Sequence, residues 1–466
     1  MSSPADLIDP PAESLALGRA FAGAGYELHL VGGSVRDALM RRPHDDLDFA
    51  TNARPEQILE VVGPLAQTTW TTGIEFGTIG ARVQGRPCEI TTFRADRYDR
   101  VSRNPAVAYG ESLVDDLGRR DFTMNAMALS VTGDASFCDP YGGLADLARG
   151  VLRTPATPSE SFADDPLRML RAARFVATLG VSVAPEVRAA MSAMADELRR
   201  VTVERVQAEL TKLLLGAGPR TGLEMLVDSG LADVVLPELP GLRMTSDEHG
   251  QHKDVYAHTL QVLDQAIAQE SDGPDLVLRW AAVLHDIGKP ATREFPAGGR
   301  VTFHHHEVVG ARMARKRLRA LRYGNQLIDD VAQLVFLHLR FYGYRDGDWT
   351  DSAVRRYVVD AGPLLPRLHK LVRSDCTTRN KRKAAALSVA YDTLEKRIAV
   401  LQKQEELSAI RPDLDGNQIM QLLGLPPGPL IGRAYQHLLA LRMEHGPLSH
   451  ERAVDELKRW YSQQQP

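Results

Sequence analysis

The stretch Leu28–Val31 is a short, mainly apolar run that predicts a β-strand. Gly32 and Gly33 follow it directly, and a short helix carrying Arg36 and Asp37 is predicted after them. Glycine adopts backbone angles that a side chain forbids, and it lets the backbone approach a phosphate closely. The pattern therefore predicts a strand, a tight glycine turn and a helix.

The next predicted strand contains Asp46, Leu47 and Asp48 and ends at the turn Asn52–Pro55. Residues two apart in a strand project from the same face, so both carboxylates are expected to point the same way. Paired carboxylates hold hard divalent cations, and cations that bridge a triphosphate drive phosphoryl-group transfer. A double glycine alone is typical of any tight turn, and an Asp-x-Asp pair alone is typical of a solvated sheet edge. Together they favour nucleotidyl transfer.

A helical pattern follows Asp164, which can cap a helix, and Pro166, which is tolerated in the first turn. No glycine or proline interrupts the next dozen residues. Four charged residues recur here every three positions, so that neighbours in the series lie close on the helix surface: Asp165, Arg168, Arg171 and Arg174. A solvated arginine stripe would give the same spacing.

A second constellation lies in the middle of the chain, where apolar residues such as Val262 and Leu263 recur at helical spacing. Borderline and hard divalent metals take imidazole and carboxylate ligands together. The ordered set that could supply such ligands is His258, His285, Asp286, His306, His338 and Asp375. His304 and His305 compete with His306 for one position, but the segment that follows favours His306. The alternative is a helical body that keeps the pattern without activity.

Four segments resemble the class II CCA-adding enzymes, which are tRNA nucleotidyltransferases of the DNA polymerase β-like superfamily. In the family's order they are GGSVRDALMRRPHDDLDFAT at 32–51, RRDFTMNAMAL at 119–129, DPYGGLADL at 139–147 and DDPLRMLRAARF at 164–175. The resemblance covers roughly the first half of the chain. It implies an α+β fold, with a small mixed-sheet nucleotidyltransferase head followed by an all-helical neck, body and tail.

The resemblance also implies roles for single residues. Asp46 and Asp48 would bind two Mg²⁺ ions, one activating the 3′-hydroxyl of the tRNA and one holding the triphosphate of CTP or ATP. Glu89, in the alternating stretch CEITTFR, is a candidate third carboxylate. The further nucleotide contacts implied are Gly32, Gly33, Arg36, Arg120 and Asp121, the last of these as a ribose partner.

By the same resemblance, Asp165 and Arg168 read the edge of the incoming base, while Arg171 and Arg174 lie nearer the phosphates. A carboxylate accepts from the exocyclic amine of C or A, but it meets a repulsive carbonyl oxygen on U or G. Such a pair can select C and A without a nucleic-acid template. The family usually has Glu-Asp where this chain has Asp164-Asp165. The shorter side chain is expected to alter how Arg168 is oriented without removing the base-reading pair.

The central set of histidines and aspartates resembles the HD phosphohydrolase superfamily, in which a metal-bound water attacks a phosphate ester. The resemblance implies that all six residues bind metal and that the site carries an accessory phosphohydrolase activity. It also implies a second kind of divalent metal besides Mg²⁺.

At 466 residues, with 44% hydrophobic content, the chain should hold several domains. No apolar run approaches the length of a membrane span and no charged-then-apolar leader is present, which predicts a cytoplasmic protein without membrane contact. Three cysteines, Cys88, Cys138 and Cys376, lack metal or disulfide spacing.

Net charge is −4, but the basic residues are unevenly distributed. The segment Arg312–Arg322 carries six basic residues and no acid, and Leu364–Gln404 carries ten basic residues against three acidic ones. Such stretches are often solvated helix faces. Beside a nucleotidyltransferase head, they are candidate contacts to the phosphate backbone of tRNA.

Composition sets the boundaries of the parts that the resemblance implies: a head at 14–150, a neck with nucleotide-reading and RNA-binding helices at 151–245, an HD domain at 246–380 and a helical tail at 381–466. The leading hypothesis is CCA addition to tRNA from CTP and ATP. The alternatives are a poly(A) polymerase or a CC- or A-only adding enzyme, an HD-domain nucleotide phosphohydrolase with a regulatory head, and a non-catalytic RNA-binding protein. The sequence does not determine the oligomeric state.

Overall fold

A mixed β-sheet lies at the centre of the first half of the chain in the computed structural model. The structure describes residues 8–43, 46–94, 110, 112–243, 254–295, 301–341, 349–378, 380–405 and 411–464. By its internal contacts the chain divides into two units, Met1–Val235 and Leu236–Pro466.

The strand order of the sheet is β3-β4-β5-β2-β1-β6-β7. Strand β2 pairs with β5 in parallel, and the other pairs are antiparallel. The predicted α+β class with a mixed sheet is thus confirmed. The strands are β1 Leu28–Val31, β2 Leu47–Thr51, β3 Ala66–Trp70, β4 Thr78–Val83, β5 Arg86–Thr92, β6 Ala128–Ser130 and β7 Phe137–Cys138.

The predicted second strand was one residue too long, because β2 begins at Leu47 and leaves Asp46 outside it. The carbonyl of Asp46 accepts a hydrogen bond from the Ser34 hydroxyl at 3.2 Å. Its backbone is therefore held by the glycine turn rather than by a strand partner.

Helices cover the sheet and bury its apolar face around Phe21, Leu30, Phe49 and Ile58. Apolar burial of this kind contributes about 25 cal/mol per Å² and is the main stabilising term of such a layer. The helices of this part are α1 Ala12–Gly23, α2 Gly33–Leu39, α3 Pro55–Val62, α4 Leu113–Gly118 and α5 Gly143–Arg149, with short 3₁₀ turns at Ile74–Phe76 and Thr123–Asn125.

The rest of the first unit is almost entirely helical. A two-stranded parallel ladder, β8 Val151–Leu152 with β9 Ser182–Val183, brackets its first helices. The helices are α6 Pro158–Asp164, α7 Leu167–Leu179, α8 Pro185–Ala193, α9 Val203–Leu214, α10 Pro219–Asp228 and α11 Leu231–Val235, with a 3₁₀ turn at Ala195–Arg200.

The second unit is helical, with a fully buried Trp280 in its first half and a separate apolar cluster around Leu414, Leu438 and Leu457 near its end. Its first helices are α12 Val255–Ile267, α13 Leu276–Leu284, α14 His306–Ala320, α15 Asn325–Leu337, α16 Asp351–Ala361 and α17 Leu365–Ser374. They are followed by α18 Lys381–Glu405, α19 Gly416–Leu423, α20 Pro429–His445 and α21 His450–Ser462. The 3₁₀ turns are Pro240–Leu242, Pro290–Thr292 and Gly362–Leu364. Among the described residues, no helix combines the length and apolar character needed to cross a bilayer.

Candidate functional site

The glycine turn and the paired carboxylates meet because β1 and β2 are antiparallel neighbours. Leu30 pairs with Phe49, so the turn after β1 lies beside the start of β2. The buried Ser34 hydroxyl donates to the carbonyl of Asp46 and accepts from the backbone N–H of Asp48 at 3.1 Å. One side chain therefore holds the carboxylate segment against the turn.

Gly32 has to be glycine for two separate reasons. Its φ of 68° lies in the left-handed region that L side chains rarely adopt. A Cβ atom at this position would also lie 2.9 Å from Nη1 of Arg120. The guanidinium of Arg120 is in turn held by Asp116, with 3.2 Å between Nη2 and Oδ2. The turn thus leaves room for a positive charge next to Asp48.

Three carboxylates gather at this edge of the sheet. Glu89 is the register partner of Asp48 in the parallel β2–β5 pairing, and Asp46 is exposed directly before β2. Burial raises the pKa of Asp48, and the charge of Asp46 raises it further against the opposing effect of Arg120. Burial and the charges of Asp48 and Asp46 also raise the pKa of Glu89. Acidic groups that disfavour one another's charge fit a site for hard cations.

Arg36 points back into the protein. Its Nη1 donates to Oδ1 of Asn125 at 2.7 Å, and its Nε and Nη2 donate to the two carboxylate oxygens of Asp37. The guanidinium also lies 5.1 Å from the ring centroid of Phe175. Arg36 is nine-tenths buried, and Asp37 and Asn125 together fix the orientation of its guanidinium.

Asp121 is buried and anchors α7. It accepts from the backbone of Phe122 and from the amide of Asn125, and Arg171 lies 2.6 Å from its Oδ2. Burial alone would raise the pKa of Asp121, but the charges of Arg171 and Arg168 and the hydrogen bonds from Arg171 and Asn125 together lower the pKa to about 2. The predicted ribose contact of Asp121 stays a prediction.

Asp165 and Arg168 lie at the start of α7. One Asp165 oxygen accepts from the backbone N–H of Leu167 at 3.1 Å, and the other accepts from Arg205 at 2.7 Å. Arg168 is buried and donates to the Ser161 hydroxyl at 2.7 Å and to the carbonyl of Arg119. Its orientation is therefore fixed by protein contacts.

The helix begins differently from the prediction. Asp164 is the last residue of α6, Pro166 is the N-cap of α7, and the carboxylate that satisfies the first free N–H is that of Asp165. The expectation that Asp164 caps this helix was wrong, because the preceding helix continues through it.

Arg171 and Arg174 share an acidic partner that the sequence analysis did not find. Glu209, on α9, is buried and lies 2.6 Å from Nε of Arg174 and 3.7 Å from Nη1 of Arg171. A glutamate in an amphipathic helix gives no local signal of such a pairing. Asp121 and Glu209 thus balance the positive charge of the two arginines and orient their side chains.

In the second unit, the structure brings together all six residues of the predicted central constellation. Two groups form, each with ligand atoms within 4.8 Å of one another. The first group contains His258, His285 and Asp375, and the second contains Asp286, His306 and His338. All six are at least mostly buried, and they come from α12 to α17 or the residues directly after those helices.

Asp286 lies between the two groups. Its Oδ2 is 3.1 Å from Nε2 of His285 and 3.5 Å from Nε2 of His258. Its Oδ1 is 3.3 Å from Nε2 of His306 and 3.9 Å from Nε2 of His338. Each of its oxygens thus faces one group.

The histidines present the nitrogen that a metal needs. Nδ1 of His285, His306 and His338 lies 2.6–2.8 Å from a backbone carbonyl oxygen, which accepts a hydrogen bond and cannot donate one. The proton of each neutral ring is therefore on Nδ1, and the lone pair is on Nε2. Nε2 of His306 and of His338 is buried, and neither atom has a hydrogen-bond partner among the residues that the structure describes. Burial lowers the pKa of His338 to about 4, so its ring is neutral. These donors fit a divalent metal.

Gly288 lets the two halves of the cluster approach each other. A Cβ atom there would lie 2.2 Å from the carbonyl of His306 and 2.7 Å from the backbone nitrogen of Gly310. This close contact seats the start of α14 on the His285-Asp286 turn. His306 points into the cluster, whereas the side chain of His305 is 82% exposed.

Three family models match three successive segments of the chain. Residues 28–153 match the poly A polymerase head domain, and residues 255–380 match the HD domain. Residues 180–242 match a region described as the probable RNA and SrmB-binding site of polymerase A.

Two relatives that align with nearly the whole chain identify its family. The chain is 34% identical to the A-adding tRNA nucleotidyltransferase of Deinococcus radiodurans over 421 residues, which cover 89% of this chain and 91% of that protein. It is 30% identical to the CCA-adding enzyme of Anoxybacillus flavithermus over 441 residues, covering 94% and 93%. The chain belongs to the CCA-adding enzyme family of tRNA nucleotidyltransferases.

The fold agrees with that membership. The crystal structure of the Bacillus stearothermophilus CCA-adding enzyme in complex with CTP matches with a TM-score of 0.69 at 25% identity, covering 100% of this chain and 99% of that one. As a member of the CCA-adding enzyme family with an HD domain, the chain is a nucleotidyltransferase, as the resemblance predicted. The roles of its single residues stay predictions.

Proposed function

We propose that this chain completes the 3′ end of tRNA by adding C, C and A from CTP and ATP without a template. The observation that carries the proposal is the cluster of Asp46, Asp48 and Glu89 beside the Gly32 turn. A non-catalytic RNA-binding module gains nothing from three clustered acids where RNA phosphates would lie.

Asp46 and Asp48, with Glu89 beside them, would hold the Mg²⁺ ions. When bound, these ions would activate the tRNA 3′-hydroxyl and neutralise the negative charge of the triphosphate. Gly32 and Gly33 leave the backbone open to the phosphates. Arg120, held by Asp116, adds a positive charge at the same edge.

We propose that Asp165 and Arg168 choose the base. The fixed Arg168 donates to a ring nitrogen or carbonyl oxygen, and Asp165 accepts from an exocyclic amine, which selects C and A over U and G. Arg171 and Arg174 lie further along α7, where Asp121 and Glu209 hold them. In this proposal they act near the phosphates, and the two acids keep their guanidinium groups in place.

The domain boundaries given by the sequence, 14–150, 151–245, 246–380 and 381–466, are part of the proposal. The HD match at 255–380 and the head match at 28–153 support two of them. A cytoplasmic site of action is proposed from the activity, since tRNA is its substrate.

The test is extension of a tRNA transcript that lacks CCA, with Mg²⁺ and with CTP alone, ATP alone or both. The proposal expects two additions with CTP and a third when ATP is also present. A long ladder with ATP alone would make the chain a poly(A) polymerase. No addition in any lane would overturn the proposal.

A-only addition is a second candidate, because a relative that matches over 89% of this chain is an A-adding tRNA nucleotidyltransferase. The same experiment separates the two. An A-adding enzyme would leave the CCA-less transcript unextended with CTP, but it would add one A to a transcript that already ends in CC.

The six-residue cluster of the second unit favours an accessory activity. We propose that His258, His285, Asp286, His306, His338 and Asp375 hold divalent metal, which when bound supplies an activated water for hydrolysis of a phosphate ester. Opening of 2′,3′-cyclic nucleotide ends by water, which leaves a 2′- or 3′-phosphate on the ribose and frees the other hydroxyl, tests this activity when it is measured with Mg²⁺, Mn²⁺, Co²⁺ and Ni²⁺ in turn.

A further inference from the structure

One face of α14 carries four positive charges. Arg312, Arg315, Lys316 and Arg319 are spaced i, i+3, i+4 and i+7, which places them on the same side of a helix. Together with Ala320 they line an open concave surface of about 500 Å³. These four basic residues are called the cationic face below.

The cationic face carries more positive charge than the carboxylates of the described residues around it neutralise. Arg315 has a partner in Asp329, 3.4 Å from its Nε. Arg312, Lys316 and Arg319 have no carboxylate partner in the part of the chain that the structure describes. Arg317, on another side of the helix, forms two hydrogen bonds with Glu238. Three of the four charges on the cationic face therefore have no carboxylate partner among the described residues, whereas Arg317 on the other side is paired.

Like charges at these spacings destabilise a helix by about 0.2–0.5 kcal/mol per pair. The helix is held instead by the buried Gly310, Ala311, Ala314 and Leu318 on its opposite side. Among the described residues, only Arg315 of the cationic face is paired, so the repulsion between its other three charges is not relieved. A bound polyanion would relieve it.

We propose that the cationic face binds the phosphate backbone of the double-helical part of tRNA, an inference that rests on the proposed function. Arg312 and Arg319 are separated by about 10 Å along the helix axis, at 1.5 Å per residue. That length spans about three nucleotides of one strand in a double helix. Three uncompensated cations over this distance match successive phosphates, which position an RNA without reading its sequence.

The experiment uses the full chain with Arg312→Gln and Arg319→Gln combined. Glutamine keeps helix propensity while removing the charge. With CCA-less tRNA, the KM for tRNA is expected to rise on the order of tenfold at 0.15 M salt, and the slope of log affinity against log salt should fall by about 2. The kcat at saturating tRNA and the KM for CTP should not change.

The matched control combines Arg356→Gln with Arg459→Gln. It removes the same charge from side chains that are 58% and 64% exposed and already paired with Glu444 and Glu456. This control should keep the wild-type KM and salt slope. An equal change in the control would overturn the inference, because the effect would then be one of net charge.

Direct filter binding of tRNA, done in parallel, separates this inference from the proposed function. A wild-type chain that binds tRNA without extending it would overturn the proposed function and still allow the cationic face to be tested. Wild-type affinity and salt slope in the Arg312/Arg319 variant would overturn this inference alone. So would a change confined to hydrolysis of 2′,3′-cyclic ends, which would assign the face to the HD site.

Discussion

Glu89 lies directly opposite Asp48 in the parallel pairing of β2 with β5, and the charge of Asp48 contributes to the raised pKa of Glu89. The two side chains therefore belong to one electrostatic unit, although 41 positions of the printed sequence separate them. Asp46 completes the unit from the residue just before β2.

We expect Asp46→Ala to lower the rate of nucleotide addition by about a thousandfold or more, since one bridging carboxylate of a cation site is lost. Because Asp46 is exposed, the fold and tRNA binding should be nearly unchanged. Single-turnover extension and filter binding measure the two effects. Glu89→Gln serves as the comparison and should give a smaller loss. Full activity of the Asp46 variant would remove this residue from the reaction.

Asp165→Asn should weaken the rejection of UTP by about tenfold, within the range that one well-placed base contact supplies. The remaining oxygen can still accept from the N–H of Leu167, while the new amide donates to a carbonyl that the carboxylate repelled. The ratio of kcat/KM for CTP and UTP measures the change. Arg205→Gln is the control, because it removes the ion pair and keeps the carboxylate. An unchanged ratio for Asp165→Asn would contradict base selection by this residue.

His306→Ala should reduce the metal content of the second unit and leave CCA addition intact. Among the described residues, Nε2 of His306 has no hydrogen-bond partner, and it lies 3.3 Å from Oδ1 of Asp286, as expected of a ligand atom that faces a metal site. Metal analysis of the purified protein and the extension assay give the two readouts. His305→Ala, at the exposed neighbouring position, should match the wild type in both. Loss of CCA addition in a folded His306 variant would mean that the two sites are coupled.

Asp121→Asn should lower the free energy of unfolding by about 2–3 kcal/mol at neutral pH, given the pKa of about 2 in the folded protein and about 3.9 in the unfolded chain. The folded pKa is depressed, so this stabilisation is present above about pH 4 and is lost as the pH falls towards 2. Urea unfolding of both proteins across this range provides the measurement. A stability difference that stays constant down to pH 2 would show that the ion pair with Arg171 is not its source.

Residues whose chemistry shows in local sequence were predictable. Asp46 and Asp48 are recognisable because they follow a glycine turn and only one residue separates them. The central histidines are recognisable because histidine is a metal ligand and because they occur in a set order with two aspartates. Ser34 and Glu209 were not found, because a hydroxyl or a carboxylate reveals its partner only once the chain is folded. The partners of Glu209 are 35 and 38 positions away on another helix. The start of α7 was misplaced for a related reason, since Asp164 suits the end of one helix as well as the start of the next.

The antiparallel pairing of β1 with β2 has a consequence for how the enzyme is made. The glycine turn, Ser34, Asp46 and Asp48 all lie between Leu28 and Thr51, so their mutual contacts close only short loops. Contacts between residues close in sequence form quickly, and N-terminal domains fold first during synthesis. We therefore expect the nucleotidyl-transfer site to begin assembling on the ribosome before His258 has been translated.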